Sequence, residues 1–243
     1  MTHLISETSA QRIEQNRAIA ARCASGVLLV GLLSSALVFG CNRSGSDTSE
    51  REREEAEEAS VAPRLVFSDD FETGELGEAW STTSETWSVE DGWVAVAGAR
   101  NAGLWLIEPL PEDVRIEFLA RSLTDVGDLK FEIFTDGVTH ESGYIGIFGG
   151  WNNQLNIVAR LDEHGEDRLL GAEGQKVIPN QVYRFRIERT DNVMRWYIDD
   201  ELFIAYDDEA PLTGEGHQHF GFNDWDAPVR FDEVRVYDLS PES

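Results

Sequence analysis

The residues that decide the fold are 114–121, VRIEFLAR. Apolar and charged side chains alternate along this stretch, with Leu119 as the exception. One face carries Val114, Ile116, Phe118 and Ala120, and the other carries Arg115, Glu117, Leu119 and Arg121. Because successive side chains of a β-strand point to opposite faces, this period of two predicts a strand with one face against a core.

The same period continues along the chain from Arg64 onward. In DLKFEIFTD (residues 128–136), Leu129, Phe131 and Ile133 alternate with Lys130, Glu132 and Phe134. Clusters of Gly, Asn, Asp or Pro separate further segments of strand length. These segments are SGYIGIFGGW, QLNIVARLD, QVYRFRIERTD, VMRWYIDD, LFIAYDD, HQHFGFNDW and VRFDEVRVYDL. The sequence therefore predicts an all-β domain with roughly twelve antiparallel strands in two sheets packed face to face.

Three segments resemble a known family. DDFETGELGEAW (69–80), VMRWYIDDELFIAYDD (193–208) and VRFDEVRVYDL (229–239) are similar to the first strand, a late hairpin and the last strand of concanavalin A-like lectin/glucanase jelly rolls. The resemblance implies an antiparallel jelly-roll sandwich over residues 64–243. It leaves function open, because this fold serves lectins, glycosidases, adhesion modules and spacers. A weaker similarity to 3-keto-disaccharide hydrolase domains implies a hydrolase or lyase as an alternative.

The N-terminal segment is typical of an export signal. Three arginines precede the apolar run 27–40, VLLVGLLSSALVFG, whose fourteen residues fall short of the roughly 20 that cross a bilayer. The ending VFGC resembles a bacterial lipobox, which implies that residues 1–40 are a lipoprotein signal peptide and that Cys41 is acylated. An uncleaved signal anchor is the alternative. The resemblance predicts a membrane-anchored protein of the bacterial cell envelope, on its periplasmic or surface side.

Residues 41–63 predict a linker between the anchor and the domain. The stretch 42–63, NRSGSDTSEREREEAEEASVAP, is rich in acids and almost free of apolar residues. Such a composition cannot bury enough surface to offset its ordering entropy, so we expect a disordered tether. Cysteine is absent from residues 42–243, which predicts a domain without disulfides.

The net charge of the chain limits the classes of ligand that it is expected to bind. Its 243 residues contain 46 acids and 20 Lys plus Arg, for a formal net charge of −26. Such an excess of carboxylates argues against nucleic acid and acidic lipid headgroups as ligands. A neutral glycan or oligosaccharide is the partner that fits this charge.

The segment 217–225, HQHFGFNDW, is the main candidate ligand site. Read as a strand, it puts Phe220 and Phe222 on one face and His217, His219, Asn223 and Trp225 on the other. A tryptophan can stack on a sugar ring while imidazole and amide groups bind its hydroxyls, and Gly221 would leave room for the ligand. An exposed polar face is the alternative.

A second candidate lies in the turn that follows SGYIGIFGG. Trp151 and Asn153 would extend the ligand site, although paired Gly and Asn residues are also ordinary hairpin chemistry. His164, in the turn EHGED, is interpreted as an exposed loop residue, with a catalytic role as the alternative.

Catalysis is not predicted from the carboxylates. Glycoside hydrolysis uses two of them, and glucanases of this fold place them as Glu-x-Asp-x-x-Glu, a pattern absent from this sequence. Glu117 and Glu132, flanked by Arg115, Arg121 and Lys130, could form a different acid/base pair if their strands are neighbours. The alternative is that they make cross-strand ion pairs on a solvated face. His219 is a further candidate acid/base for the hydrolase alternative.

Structural calcium is the one cofactor that the resemblance suggests. Asp232 matches an aspartate of the last strand that resembles a calcium ligand in glucanases, and Asp69 and Asp70 could lie close by. Carboxylates and backbone carbonyls are the ligands that calcium prefers. No Cys/His spacing suggests zinc.

Overall fold

The computed structural model describes residues 63–171 and 174–241 of the chain. Within these residues there are fifteen strands and one short helical turn. In chain order they are β1 (Arg64–Asp69), β2 (Trp80–Thr82), β3 (Ser88–Glu90), β4 (Trp93–Val96), β5 (Leu104–Leu106), β6 (Val114–Ser122), β7 (Leu129–Thr135), β8 (Tyr144–Gly149), α1 (Gly150–Asn153), β9 (Leu155–Arg160), β10 (Leu169–Leu170), β11 (Tyr183–Thr190), β12 (Val193–Ile198), β13 (Glu201–Asp207), β14 (His219–Asn223) and β15 (Val229–Asp238).

The strands form two antiparallel sheets. The eight-stranded sheet runs in the order β13-β12-β11-β6-β15-β4-β3, and β1 also pairs with β15. The seven-stranded sheet runs in the order β10-β9-β8-β7-β14-β5-β2. A bulge between Asp232 and Arg235 interrupts the pairing of β15 with β6. The predicted all-β, two-sheet antiparallel sandwich is confirmed.

Aromatic side chains fill the space between the sheets. Phe118 of β6 lies 5.1 Å from Phe222 and 5.8 Å from Phe220 of the facing sheet, measured between ring centroids. Phe222 also stacks on Phe231 at 4.1 Å. Burying a side chain of this size contributes about 1.5–3 kcal/mol, so this aromatic layer supplies much of the stability of a domain that the sequence predicts to lack disulfides.

The alternation predicted for 114–121 is confirmed, because buried and half-buried residues alternate along the whole of β6. The corresponding prediction for β7 is wrong, because the face that carries Lys130 and Glu132 is not exposed. All seven residues of β7 are buried. Period two places these two side chains on one face, and loops from elsewhere in the chain cover that face.

The proposed pairing of Glu117 with Glu132 is also wrong. Glu117 lies on β6, which pairs only with β11 and β15 among the described strands. Glu132 lies on β7 of the other sheet, between β8 and β14. The two carboxylates therefore belong to different layers and cannot act on one substrate.

The predictions for the N-terminal segment lie outside the described residues. These are the signal peptide 1–40, acylation at Cys41 and the linker up to residue 62. Among residues 63–171 and 174–241, no helix combines the length and the apolar character that a membrane span requires.

Candidate functional site

A cavity of about 550 Å³ lies at one end of the outer face of the seven-stranded sheet. It sits where β7 begins and where β8 and β14 end. This volume is within the range of about 300–1,000 Å³ that is usual for small-molecule sites. Its walls are formed by Asn101, Val126, Asp128, Lys130, Ile147, Trp151, Asn152, Glu163, His164, Trp225, Asp226 and Ala227.

Trp225 stands on the loop that follows β14 and is 51% exposed. Its backbone N–H donates to Asp128 Oδ2 at 3.1 Å, and the Arg100 guanidinium lies 5.3 Å from its ring centroid. A cation at this distance stacks favourably on the indole. The loop therefore presents a large aromatic surface to the cavity from a fixed backbone position.

Asp224 fixes the base of that loop. It is fully buried, and its carboxylate accepts the N–H groups of Ala99 at 3.0 Å and Ala227 at 2.9 Å. Burial raises the pKa of Asp224 to about 6, and the negative charge of Asp128 acts in the same direction, while the N–H donors oppose it. The carboxylates of Asp224 and Asp128 therefore both hold the loop that carries Trp225, the first through the N–H groups of Ala99 and Ala227 and the second through the N–H of Trp225 itself.

Trp151 reaches the cavity from a strained turn. Trp151, Asn152 and Asn153 all have positive φ, of 52°, 57° and 61°. Left-handed backbone is unfavourable for residues other than glycine, least so for Asn, and a bulky residue there is a strong outlier. Strain of this kind persists only where surrounding contacts enforce it.

Asn153 supplies those contacts. Its Nδ2 donates to the carbonyl oxygens of Asp125 at 3.0 Å and Val177 at 2.7 Å, and its Oδ1 accepts the N–H of Val177 at 2.8 Å. Asn156 contributes as well, because its Oδ1 accepts the N–H of Gly149 at 2.9 Å. Asn153 was predicted to contact a ligand, but the structure buries it against the backbone, where it positions Trp151.

The floor of the cavity carries a buried ion pair. Lys130 Nζ lies 2.9 Å from Glu163 Oε2 and donates to Asn101 Oδ1 at 3.1 Å. A lysine with so little exposure requires a partner of opposite charge, which Glu163 provides. Lys130, Asn101 and Glu163 come from three distant segments, so no local pattern in the sequence predicts that they meet at this site.

Asn223 lies behind this floor and does not reach the cavity. It is fully buried and donates through Nδ2 to Glu132, which is also fully buried. His140 Nδ1 lies 2.7 Å from Glu132 Oε1, and the Glu141 N–H donates to Glu132 Oε2 at 3.1 Å. The carboxylate is thus fully occupied by protein groups.

The two histidines of HQHFGFNDW are remote from the cavity, since they lie at the opposite end of β14 from Trp225. His217 Nδ1 bonds the carbonyl of Phe134 at 3.2 Å, and His219 Nδ1 bonds that of Leu106 at 3.1 Å. Phe220 and Phe222 are fully buried, as the sequence predicted. Of the proposed ligand contacts, the structure brings Trp151 and Trp225 together and leaves His217, His219, Asn153 and Asn223 elsewhere.

His164 also lines the cavity. Its side chain is 66% exposed, in keeping with the loop position predicted for it. The ring lies edge-on to Trp151 at 5.5 Å, and the Arg168 guanidinium lies 5.1 Å from the Trp151 centroid. One part of each cavity tryptophan is therefore already covered by a cationic or imidazole side chain.

The residues proposed as calcium ligands have protein partners in the structure. Asp69 accepts the Trp80 indole N–H and the Phe71 backbone N–H. Burial, together with the charges of Glu233, Glu72 and Asp70, raises the pKa of Asp232 to about 6. Among residues 63–171 and 174–241, no three His, Cys, Asp or Glu side chains converge as metal ligands would. Calcium binding stays a prediction.

A second depression, of about 610 Å³, lies on the outer face of the eight-stranded sheet. Charged side chains line it, and several are paired: Arg115 Nε lies 2.8 Å from Glu188 Oε1, and Arg186 is equally close to the same atom. The described residues around it include no tryptophan. It therefore lacks the aromatic surface that marks the first cavity.

No protein-family model and no curated protein sequence matches this chain. Solved structures do match it. The carbohydrate-binding module CBM66 from Bacillus subtilis is 20% identical, with a TM-score of 0.54, covering 66% of this chain and 96% of that one. The laminarinase from Rhodothermus marinus is 18% identical, with a TM-score of 0.54, covering 73% and 98%.

A non-specific endo-β-1,3(4)-glucanase of family GH16 is 13% identical, with a TM-score of 0.55, covering 74% of this chain and 92% of that one. The fold is that of the concanavalin A-like jelly rolls. At these identities the likeness establishes the jelly roll and leaves function to the chain's own residues.

Proposed function

We propose that this jelly roll binds a carbohydrate noncovalently in the cavity between Trp151 and Trp225. The observation that carries the proposal is that two tryptophans from distant loops line one cavity whose other walls hold amide and carboxylate groups. Indole rings stack on the apolar faces of sugars, and Asn101, Asn152 and Asp128 supply donors and acceptors for hydroxyl groups. The strained turn at Trp151 supports a functional role for that side chain.

The comparisons support the same class of ligand. The similar solved structures include a carbohydrate-binding module and glucanases. The carboxylates of Asp128, Glu163 and Asp226 around the cavity are balanced by Lys130 and by the two guanidinium groups, of Arg100 and Arg168, that lie against the tryptophans. A neutral glycan therefore fits this site, in agreement with the overall charge.

The test is a glycan array probed with the purified domain. Trp225→Ala and Trp151→Ala should each weaken binding by about tenfold or more, equivalent to about 1.4 kcal/mol. Trp93→Ala is the matched control, because Trp93 is a half-buried tryptophan on the other sheet, under the Arg121 guanidinium. Binding of no glycan, or equal losses in all three variants, would refute the proposal. Capture of a protein partner alone would favour the adhesion or spacer alternative.

Turnover of the bound glycan is the second candidate function, and one observation favours it. Asp128 and Glu163 both line the cavity, and paired carboxylates are the groups that glycoside hydrolysis uses. His219, proposed from sequence as an acid/base, lies away from this cavity. Release of product from a disaccharide or 3-keto-disaccharide pool, lost in Asp128→Asn and Glu163→Gln but kept in Glu117→Gln, would establish an enzyme.

We further propose that the domain is exported and held at a bacterial membrane by an acylated Cys41. The apolar run 27–40 followed by VFGC supports this. Cells fed an alkyne analogue of palmitate should label the wild type and Cys23→Ser, and Cys41→Ser should lose the label. Equal labelling of the two variants would contradict the anchor.

A further inference from the structure

The outer face of the seven-stranded sheet is closed by the chain itself. Leu155 at the start of β9 is half-buried, whereas six other side chains that point outward from β7, β8 and β9 are at most 2% exposed. They are Lys130, Glu132, Ile145, Ile147, Ile157 and Ala159. An antiparallel sheet that packs against a core on one side alone leaves its other face exposed to solvent. Here the second face is sealed as tightly as the core.

Two loops form the cover, and they are joined to each other. We call residues 136–143 and 161–168 the roof. The N–H of Leu161 donates to the carbonyl of Gly143 at 2.9 Å, and the N–H of Glu163 donates to Glu141 Oε1 at 2.9 Å. The two loops of the roof are thus bonded to each other, and they contact the outward side chains of β7.

A buried ion pair and a buried hydrogen bond fasten the roof to the sheet. His140 of the roof contacts Glu132 of β7, and Glu163 of the roof contacts Lys130 of β7. His140 Nε2 also lies 3.8 Å from Glu163 Oε2. Separating buried ionic partners leaves uncompensated charge and costs about 3–5 kcal/mol. The roof is therefore a fixed part of the fold rather than a lid that opens on ligand binding.

The cavity ends where the roof begins. Lys130 and Glu163 form the floor of the cavity. Behind this floor, the hydrogen-bonded side chains of Glu132, His140 and Asn223 fill the space. A polymer lying along the outer face of the sheet would have to occupy the volume of this network. The cavity is consequently blind toward the centre of the sheet, while Trp225 on its wall is 51% exposed to solvent.

We infer that the site binds the end of a glycan chain and excludes internal segments. The inference rests on the proposed function, and it adds which part of the glycan is recognised. A chain terminus can enter a blind cavity and stack on Trp151 and Trp225, while an internal segment must leave on both sides. Affinity then depends on the terminal units alone and not on the length of the chain behind them.

The experiment uses oligosaccharides of increasing length, each immobilised on an array through its reducing end or through its non-reducing end. Recognition of a chain end predicts binding in one orientation only, with affinity changed by less than about twofold along the length series. Equal binding in both orientations, or affinity that rises about tenfold with length, would overturn the inference and leave the proposed function standing. Absence of binding to every glycan would instead refute the proposed function.

Amide hydrogen exchange gives an independent measurement on the unmodified chain. With a bound oligosaccharide from the array, exchange in residues 136–143 and 161–168 should stay equal or slow down, because the roof remains closed. Faster exchange in both roof loops on binding would show that the sheet face opens, and the inference would then be wrong.

Discussion

Asn153 illustrates how one side chain can place another. Its three hydrogen bonds to the backbone of Asp125 and Val177 hold a turn in which Trp151 has a φ of 52°. Replacing Asn153 with alanine removes the hydrogen-bond partners of both the N–H and the carbonyl group of Val177. The left-handed turn then loses the contacts that enforce it.

Asn153→Ala should lower the free energy of unfolding by about 1–3 kcal/mol, because it orphans buried backbone groups. It should also weaken glycan binding through displacement of Trp151. Chemical denaturation and the glycan array measure the two effects. Gln154→Ala, an exposed neighbour, is the control and should change neither; a wild-type result for Asn153→Ala would contradict its positioning role.

The raised pKa of the buried Asp224 carboxyl predicts that the stability of the domain depends on pH. Its folded pKa is raised to about 6 from an ordinary value of 3.8, so the folded state holds this proton more tightly than the unfolded chain does. The stabilisation is fully present below the unfolded pKa and is lost as pH rises through the folded pKa. Across this window the loss amounts to about 3 kcal/mol.

The measurement is urea denaturation at a series of pH values. Wild-type stability should carry a component that falls between pH about 4 and 6, and Asp224→Asn should flatten it. Asp232, whose pKa is also raised to about 6, contributes in the same direction. Its Asp232→Asn variant should remove a separate part of the slope, and an unchanged slope in both variants would contradict these assignments.

At the scale of elements, β14 shows how packing assigns a glycine its role. The sequence suggests that Gly221 leaves room for a ligand, but the structure places the Trp105 ring of β5 directly over it. A Cβ at Gly221 would collide with that ring and would lie 2.7 Å from the Leu104 carbonyl oxygen. The missing side chain therefore accommodates Trp105 and no ligand.

Gly221→Ala should destabilise the domain by about 1–3 kcal/mol through overpacking. Gly77→Ala is the control, because a Cβ there meets nothing within 4 Å, and it should be neutral or slightly stabilising. Thermal unfolding of the two variants beside the wild type provides the comparison. Equal melting temperatures would show that β5 moves away from β14 without cost.

The strands themselves differ in how well their sequences predict them. β6 follows its alternation throughout, because its outer face meets only solvent and surface side chains. β7 has the same pattern, yet both of its faces are buried. Period two identifies which residues share a face, but whether a second layer covers that face depends on loops distant in sequence.

At the scale of the whole molecule, the net charge of −26 predicts a stabilising effect of salt. Mutual repulsion of surface carboxylates opposes the compact state, and salt screens it over a Debye length that falls from about 30 Å at 0.01 M to about 3 Å at 1 M. The melting temperature should therefore rise by several degrees as sodium chloride increases over this range. A fall would show that attractive pairs such as Lys130–Glu163 dominate the balance.

Measuring the melting temperature against salt concentration also tests whether the domain binds calcium. Calcium chloride at matched ionic strength should act as sodium chloride does if no specific site exists. An additional rise that is lost in Asp232→Asn would establish the calcium ligand suggested by the family resemblance. Differential scanning calorimetry with a chelator added last distinguishes the two outcomes.

The sequence by itself determined the layers of this protein. Alternating apolar residues in segments such as VRIEFLAR require a strand with one buried face, and many such strands can bury those faces only against one another. The sequence also selected Trp151 and Trp225 as ligand contacts, because an indole ring beside amide and imidazole groups can stack on a sugar. These inferences need only local period and composition.

Only the tertiary structure decided where the cavity lies. Lys130, Asn101 and Glu163 meet on its floor although they come from separate segments, and His140 meets Glu132 in the same way. No local rule identifies such partners, because the pairing energy of buried charges depends on distances set by the whole fold. That long-range packing also forms the roof and closes one end of the cavity. It places His219 and Asn223 away from the cavity.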